Sequence, residues 1–233
     1  MTDRRPTERA DAARNRRAIL DATAALLAEH GAAGVTMDRV AAAAGVAGVA
    51  AGETVLVEAA ATGVGGCLTQ LCAAAGVRVI GTAGGEQKAR IARDNGADDV
   101  LDHTAPDWAD QLADLLTDGT VDVVFDSIGG ESLTPLLDLI TPLRGRILSY
   151  GWLDGSPAQL GVTELILGGL TLTGCAGAAW LGEVARQRST ALPATAQGHL
   201  TPLIDSILPL ADAAHAHRKL EGRIAFGTVL LRP

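Results

Sequence analysis

Aromatic side chains are almost absent: one Tyr, two Phe and three Trp make up 3% of 233 residues. Unpaired bases would find few flat surfaces to stack on, which counts against a single-stranded nucleic-acid binder. Cysteine is as scarce. Cys67, Cys72 and Cys175 form no C-x-x-C and have no histidine at ligand spacing, so neither a disulfide framework nor a metal site is expected. They read as buried thiols of a protein kept in the reducing cytoplasm. Positive charge is in deficit, with 19 Lys and Arg against 27 Asp and Glu and a formal net charge of −8. Residues 1–17 nevertheless carry six arginines (Arg4, Arg5, Arg9, Arg14, Arg16, Arg17) against Asp3, Glu8 and Asp11, which is +3 and leaves −11 for the rest. An acidic body with a basic arm disfavours wholesale attachment to nucleic acid or anionic membrane, and only the arm is suited to phosphate. The N-terminus is Arg-rich without an apolar run, so no secretory leader is expected. The most apolar stretch, residues 162–181, is interrupted by Glu164, glycines and threonines, and a strand with connections is expected there instead of a membrane span.

What is abundant is small and aliphatic. Hydrophobic residues are 48% and glycines number 28, a composition suited to close backbone packing in a soluble α/β protein. Residues 10–30 have a helical period, with Ile19, Ala22, Leu26, Leu27 and His30 on one face. Gly31 and Gly34 end that helix. Thr36 is placed to cap a second, short helix that Gly45 closes. The segment RRAILDATAALLAEHGAAGVTMDRVAAAAGV resembles the DNA-binding N-terminus of TetR-type transcriptional regulators, through two helices and a turn, over about residues 9–46. In that family a third helix follows and enters the major groove. Here the chain runs instead into AGVAAGETVLVEAA, a strand pattern. Two readings stand for residues 1–47: a helical hairpin packed on the body, or a truncated headpiece with weak DNA binding.

From Glu53 on, strand and helix signals alternate. TVLVEAA (54–60), VRVIG (77–81), DDVLD (98–102), VDVVFD (121–126) and GRILSYG (145–151) read as strands. Helical segments follow the first four, the fourth being ESLTPLLDLITP. Continuous Val, Ile and Leu runs in strict alternation predict a parallel sheet covered on both faces. The expected fold is therefore α/β, a doubly wound, Rossmann-type dinucleotide-binding domain over residues 48–233 with a short N-terminal all-α segment.

The loop after the first strand carries the chemistry. In AAATGVGG (59–66) small residues let the backbone approach a pyrophosphate, and the amides at the helix N-terminus would donate to it. Taken alone the same loop suits a plain tight turn. An NAD site places a carboxylate at the end of the second strand to accept from the ribose 2′-OH. Ala83 stands there, 18 residues after Gly65, and Lys88 follows. No acid repels a 2′-phosphate and a cation is near, so NADP(H) is favoured over NAD(H). Lys88 reads equally as a solvated helix lysine.

Residues 48–233 resemble the cofactor-binding domain and C-terminus of medium-chain dehydrogenase/reductases, specifically the zinc-independent quinone oxidoreductase branch. The motifs are VLVEAAATGVGG, VIGTAGGEQK, NGADDVLD, VDVVFDSIGGESL, GRILSYG, LTLTGCA and PLADAAHAHRKLEGRIAFGTVLLRP. The resemblance implies that Thr62, Gly63, Val64 and Gly65 cradle the pyrophosphate. Thr62 replaces the branch's central Gly, bringing a hydroxyl but also a Cβ that narrows the approach. It implies that Lys88 and Arg223 flank the 2′-phosphate, with His103 in place of an aromatic neighbour. Ser127, Ile128 and Gly129, and Tyr150 with Gly151, would lie near the nicotinamide at strand C-terminal ends. For Ile128 and Tyr150, core lining is the competing reading. Superfamily members begin with a separate β-rich catalytic domain, which residues 1–47 are too short and too helical to replace. The expectation is a dinucleotide-binding oxidoreductase module of doubtful turnover with a small quinone or enone. The alternative is a DNA-binding regulator whose cofactor domain acts as sensor. Homodimer formation through LTLTGCA (170–176) as an edge strand is expected, with LGVTELILGGL left partly uncovered unless it packs on the N-terminal helices.

Overall fold

The computed structural model describes residues 47–116 and 119–233. The two helices anticipated over 10–30 and 36–45 lie outside the described residues. Six parallel strands form the main sheet: β1 (Thr54–Val57), β2 (Arg78–Thr82), β3 (Asp99–Leu101), β4 (Val123–Asp126), β5 (Arg146–Ser149) and β6 (Thr171–Gly174). Their order across the sheet is β3-β2-β1-β4-β5-β6, the doubly wound order whose reversal falls between β1 and β4. The helices α1 (Gly63–Ala74), α2 (Glu86–Asp94), α3 (Trp108–Leu116), α4 (Val162–Gly168) and α5 (Gly177–Ala196) connect or follow these strands.

Both faces of the sheet are buried at β1, β2, β4 and β5, which explains their unbroken apolar runs. Val55, Val57, Val79, Phe125 and Leu148 join Leu68 of α1 in one core. Leu56, Ile80, Val124 and Ile147 point the other way and pack with Leu112, Leu133 and Leu136. The period of two along each strand thus feeds two cores at once.

Local outcomes differ from expectation in three places. Helix α1 begins at Gly63, so the glycine loop is its first turn and not a turn ahead of it. The segment read as a fourth helix folds as a 3₁₀ helix over Thr134–Leu139 and ends in a parallel bridge between Val121 and Ile140. A rise of about 2.0 Å per residue lets six residues reach that bridge where an α-helix would fall short. The apolar stretch 162–181 supplies the expected strand, β6, but as a helix-strand-helix, with α4 before it and the start of α5 after it. Among the described residues no helix is long and apolar enough to cross a membrane.

The C-terminal part builds a separate unit. Strands β7 (Ile204–Pro209) and β8 (Thr228–Arg232) pair in parallel, joined through a 3₁₀ turn at Leu210–Asp212 and helix α6 (Ala213–Glu221). Gln70 of α1 ties this unit to the main body, donating to the Thr201 carbonyl at 2.9 Å and accepting from its amide at 2.8 Å.

Helix α1 meets the loop after β1 backbone to backbone. A Cβ built on Gly65 would lie 2.2 Å from the Ala59 carbonyl oxygen. Neither partner is a flexible side chain, so nothing there can give way. Gly65→Ala is expected to lower unfolding free energy by about 1–3 kcal/mol, measured by urea denaturation.

Candidate functional site

A cavity of about 510 Å³ opens at the C-terminal ends of β1, β2, β4 and β5, where open α/β sheets bind ligands. Each strand delivers residues from the loop that follows it. Ala59, Ala61, Thr62, Gly63 and Val64 come after β1, Ala83 and Gly84 after β2, and His103 after β3. Ser127 and Ile128 follow β4, and Tyr150, Gly151 and Leu153 follow β5. Lys88 of α2 and Arg223, which follows α6, complete one end.

The α1 N-terminus has a built cap. Thr62 Oγ1 donates to the Ala59 carbonyl at 2.8 Å and accepts from the Gly65 amide at 3.1 Å. The Gly66 amide donates to the Thr62 carbonyl at 2.8 Å. These bonds correct two expectations. The Thr62 hydroxyl serves as helix cap and is not spare for a phosphate, because its proton and an acceptor lone pair are both committed. Gly65 lies outside the cavity lining with its amide spent, and its glycine is required by packing against β1. That leaves the Gly63 and Val64 amides, which have no acceptor among the described residues, at the positive end of the helix dipole. Gly63 must itself be small, since a Cβ there would sit 2.2 Å from Thr228 Oγ1.

Three groups that carry or can take positive charge line the same cavity and lie near one another. Lys88 Nζ donates to the Arg223 carbonyl at 2.9 Å, and an Arg223 guanidinium nitrogen donates to the Leu153 carbonyl at 3.0 Å. Neither cation has a carboxylate partner among the described residues. Desolvation, then Lys88 and Arg223, hold the His103 imidazole below its ordinary pKa, against the opposite pull of Asp102. A cluster of this kind is suited to a multiply charged anion.

Behind the floor lies a buried polar group of residues. Asp126 Oδ1 accepts from the amides of Ile128 and Gly129, each at 2.9 Å, and Ser149 Oγ donates to Oδ2 at 2.7 Å. Gly129 is a turn residue with φ 74° and does not line the cavity, which departs from its expected place beside a ligand. Ser127 Oγ reaches the Glu58 carbonyl at 3.5 Å. The Tyr150 hydroxyl is buried without a hydrogen-bond partner, and burial raises its pKa. Ile128 and Tyr150 both line the cavity, and Tyr150 also packs against the core of the α1 face. Burial pushes the Cys67 thiol to about 11 and the Cys72 thiol to about 12, so neither is a nucleophile at neutral pH.

Reading the sequence missed the wall formed by Leu220, Ala225, Gly227, Thr228 and Val229, and also Trp180. These residues reach the cavity only because the C-terminal unit docks there, and no local pattern marks them. Among the described residues no group of three His, Cys, Asp or Glu side chains is arranged to hold a metal.

A doubly wound sheet with an amide-lined helix N-terminus and a cationic cluster at its switch point defines a dinucleotide-binding type of protein. Residues 63–192 match the zinc-binding dehydrogenases, and the chain belongs to that family. Residues 19–50 match the bacterial regulatory proteins of the tetR family. The chain is 32% identical over 189 residues to a 2-haloacrylate reductase of a Burkholderia species, covering 78% of this chain and 56% of that protein. It is 34% identical over 188 residues to a quinone oxidoreductase of Pseudomonas aeruginosa, covering 78% and 57%. A mycobacterial protein solved complexed with NADPH superposes with a TM-score of 0.73 at 31% identity, covering 84% of this chain and 62% of that one. The chain thus spans a little over half the length of the curated relatives it matches. Despite the family's name, the described residues supply no zinc site.

Glu58, 2% exposed at the end of β1, gives a pH signature. Burial first, then the neighbouring Asp126, push its carboxyl well above the ordinary 4.5, while Ser132 and the Ile128 amide offset only part of this. The folded chain keeps a proton that the unfolded chain releases. Stability is therefore complete below the unfolded value and declines as pH rises from there toward the folded one. Glu58→Gln removes that dependence. Its melting temperature is expected to exceed the parent's by about 2–4 °C at pH 8 (roughly 1 kcal/mol), with the gain shrinking at pH 5.

Proposed function

We propose that residues 48–233 form an NADP(H)-binding oxidoreductase module of the quinone oxidoreductase type. The observation that carries it is the pairing, in one cavity, of two unspent α1 amides with Lys88 and Arg223. The Gly63 and Val64 amides suit the pyrophosphate. Ala83 and Gly84 leave room for the adenosine ribose, and Lys88, Arg223 and His103 suit its 2′-phosphate. Ser127, Ile128, Tyr150 and Gly151 then face the nicotinamide half, with the Tyr150 hydroxyl buried beneath it. Gly65 and Gly129 support this arrangement from outside the lining. The bound dinucleotide supplies hydride, and this chain's residues bind and orient it. A mycobacterial relative solved with NADPH, and quinone oxidoreductases among the curated relatives, support this reading over a regulator. A small quinone or enone is the proposed acceptor. Three cysteines that are buried and outside any disulfide suit a reducing cytoplasm.

The expected outcome is saturable quenching of protein fluorescence by NADPH with weaker response to NADH. Arg223→Gln is expected to weaken NADPH about tenfold or more, the loss of one charge-assisted contact, and NADH far less. No response of the parent chain to either dinucleotide at millimolar levels would end the proposal.

A homodimer accompanies this reading. The outer edge of the sheet is β6, and beside it Val162, Ile166 and Leu167 of α4 are 70%, 72% and 83% exposed. Two copies pairing edge to edge would cover this surface. The tetR-family match over residues 19–50 favours a second reading, a headpiece that binds DNA. One set of measurements addresses both: size-exclusion mass at twice the chain mass is expected, and DNA retention that ignores sequence and disappears by about 150 mM salt would dismiss specific operator binding.

A further inference from the structure

The two cations at the phosphate end depend on a loop that neither controls. Lys88 sits on α2, yet its ammonium is held by the Arg223 carbonyl and lies 5.9 Å from the centre of the Phe226 ring. Arg223 has a φ of 54°, a left-handed backbone that persists only where the surroundings over-determine it. Its amide donates to the Leu220 carbonyl at 3.0 Å, and the Ile224 amide to the Lys219 carbonyl at 3.3 Å.

What fixes this loop on both sides is one carboxylate. Asp205, on β7, has a side chain only 5% exposed. Its Oδ1 accepts from the Phe226 amide at 2.9 Å, after Arg223 in the chain. Its Oδ2 accepts from Lys219, before Arg223, and from the Ser206 hydroxyl at 2.7 Å. Burial alone would raise this carboxyl, but Lys219, the Phe226 amide and Ser206 outweigh it and keep it below its ordinary value. Asp205 itself does not line the cavity.

We propose that Asp205 is a positioning residue for dinucleotide selection: it clamps the loop at Lys219 and Phe226, and so sets Arg223 through the backbone between them and Lys88 through the Arg223 carbonyl and the Phe226 ring. The ligand feature it selects is the extra phosphoryl group on the adenosine ribose. This rests on the NADP(H) reading above. A merely structural role for Asp205 would weaken the C-terminal unit as a whole and lower affinity for both dinucleotides alike, because Gly227 and Thr228 also border the cavity.

The test uses the full chain and Asp205→Ala, with dissociation constants for NADPH and NADH measured side by side by fluorescence. The NADPH-over-NADH preference is expected to fall about tenfold, with NADH affinity moving less than twofold. Adding Asp205→Ala to Arg223→Gln is expected to cost little more, since both act on the same contact. If Asp205→Ala does not fold, Asp205→Asn, which keeps an acceptor for Phe226 but loses the charge facing Lys219, is expected to give a smaller loss of the same preference. Equal weakening of both dinucleotides, or an unchanged preference, overturns the role of Asp205 while leaving the NADP(H) reading intact. A parent chain with no NADPH preference removes that reading, and this inference falls with it.

Discussion

The crossing of α1 over β1 is the contact on which the rest depends. The two backbones meet at Gly65 and Ala59 at a distance that excludes any side chain, and the Thr62 hydroxyl secures the junction by bonding to both sides of it. This fixes where the helix begins, and therefore which amides remain for a ligand. It also fixes the direction of the helix dipole toward the point where the strand order reverses. A looser crossing would move the Gly63 and Val64 amides away from the cavity without altering any residue that lines it.

A division of labour follows. The parallel sheet supplies position, since loops after β1, β2, β3, β4 and β5 all emerge at one end. The C-terminal β-α-β unit supplies charge, through Arg223 and its hold on Lys88. The buried residues behind the floor shape the loops: Asp126 ties down Ile128 and Gly129, while burial and the neighbouring Asp126 push the Glu58 carboxyl well above its ordinary pKa. A polar group of that kind suits a switch-point floor, because the loop amides after β4 need acceptors where no neighbouring strand can provide them.

Much of the sheet was legible. The runs VLV, RVIG, VVFD and RILS are apolar at consecutive positions because each strand faces two cores, and that pattern has few other solutions. The 3₁₀ segment was less so: Leu133, Leu136 and Ile140 are spaced for either helix, and only the bridge to Val121 decides between them. The placing of Ala83, Lys88, His103 and Arg223 around one cavity follows the family resemblance closely. The capping role of Thr62 was not legible, since a hydroxyl at a helix N-terminus can serve the helix or a ligand with the same atoms. Of the wall from Leu220 to Val229 only Arg223 was anticipated, because the other residues reach the cavity through docking between segments far apart in the chain.

That separation has a consequence for how the protein comes into being. Lys88 and the carbonyl that holds it are 135 residues apart, so during synthesis the sheet and the amide-lined helix emerge long before their cationic counterpart. A nascent chain stalled between α5 and α6 has the strands β1 to β6 and the Gly63 and Val64 amides but not yet Arg223, whose carbonyl holds Lys88. The proposed preference between dinucleotides therefore waits on a later segment than the amide-lined helix does, and a protease nick in the loop after α6 would strike at it first.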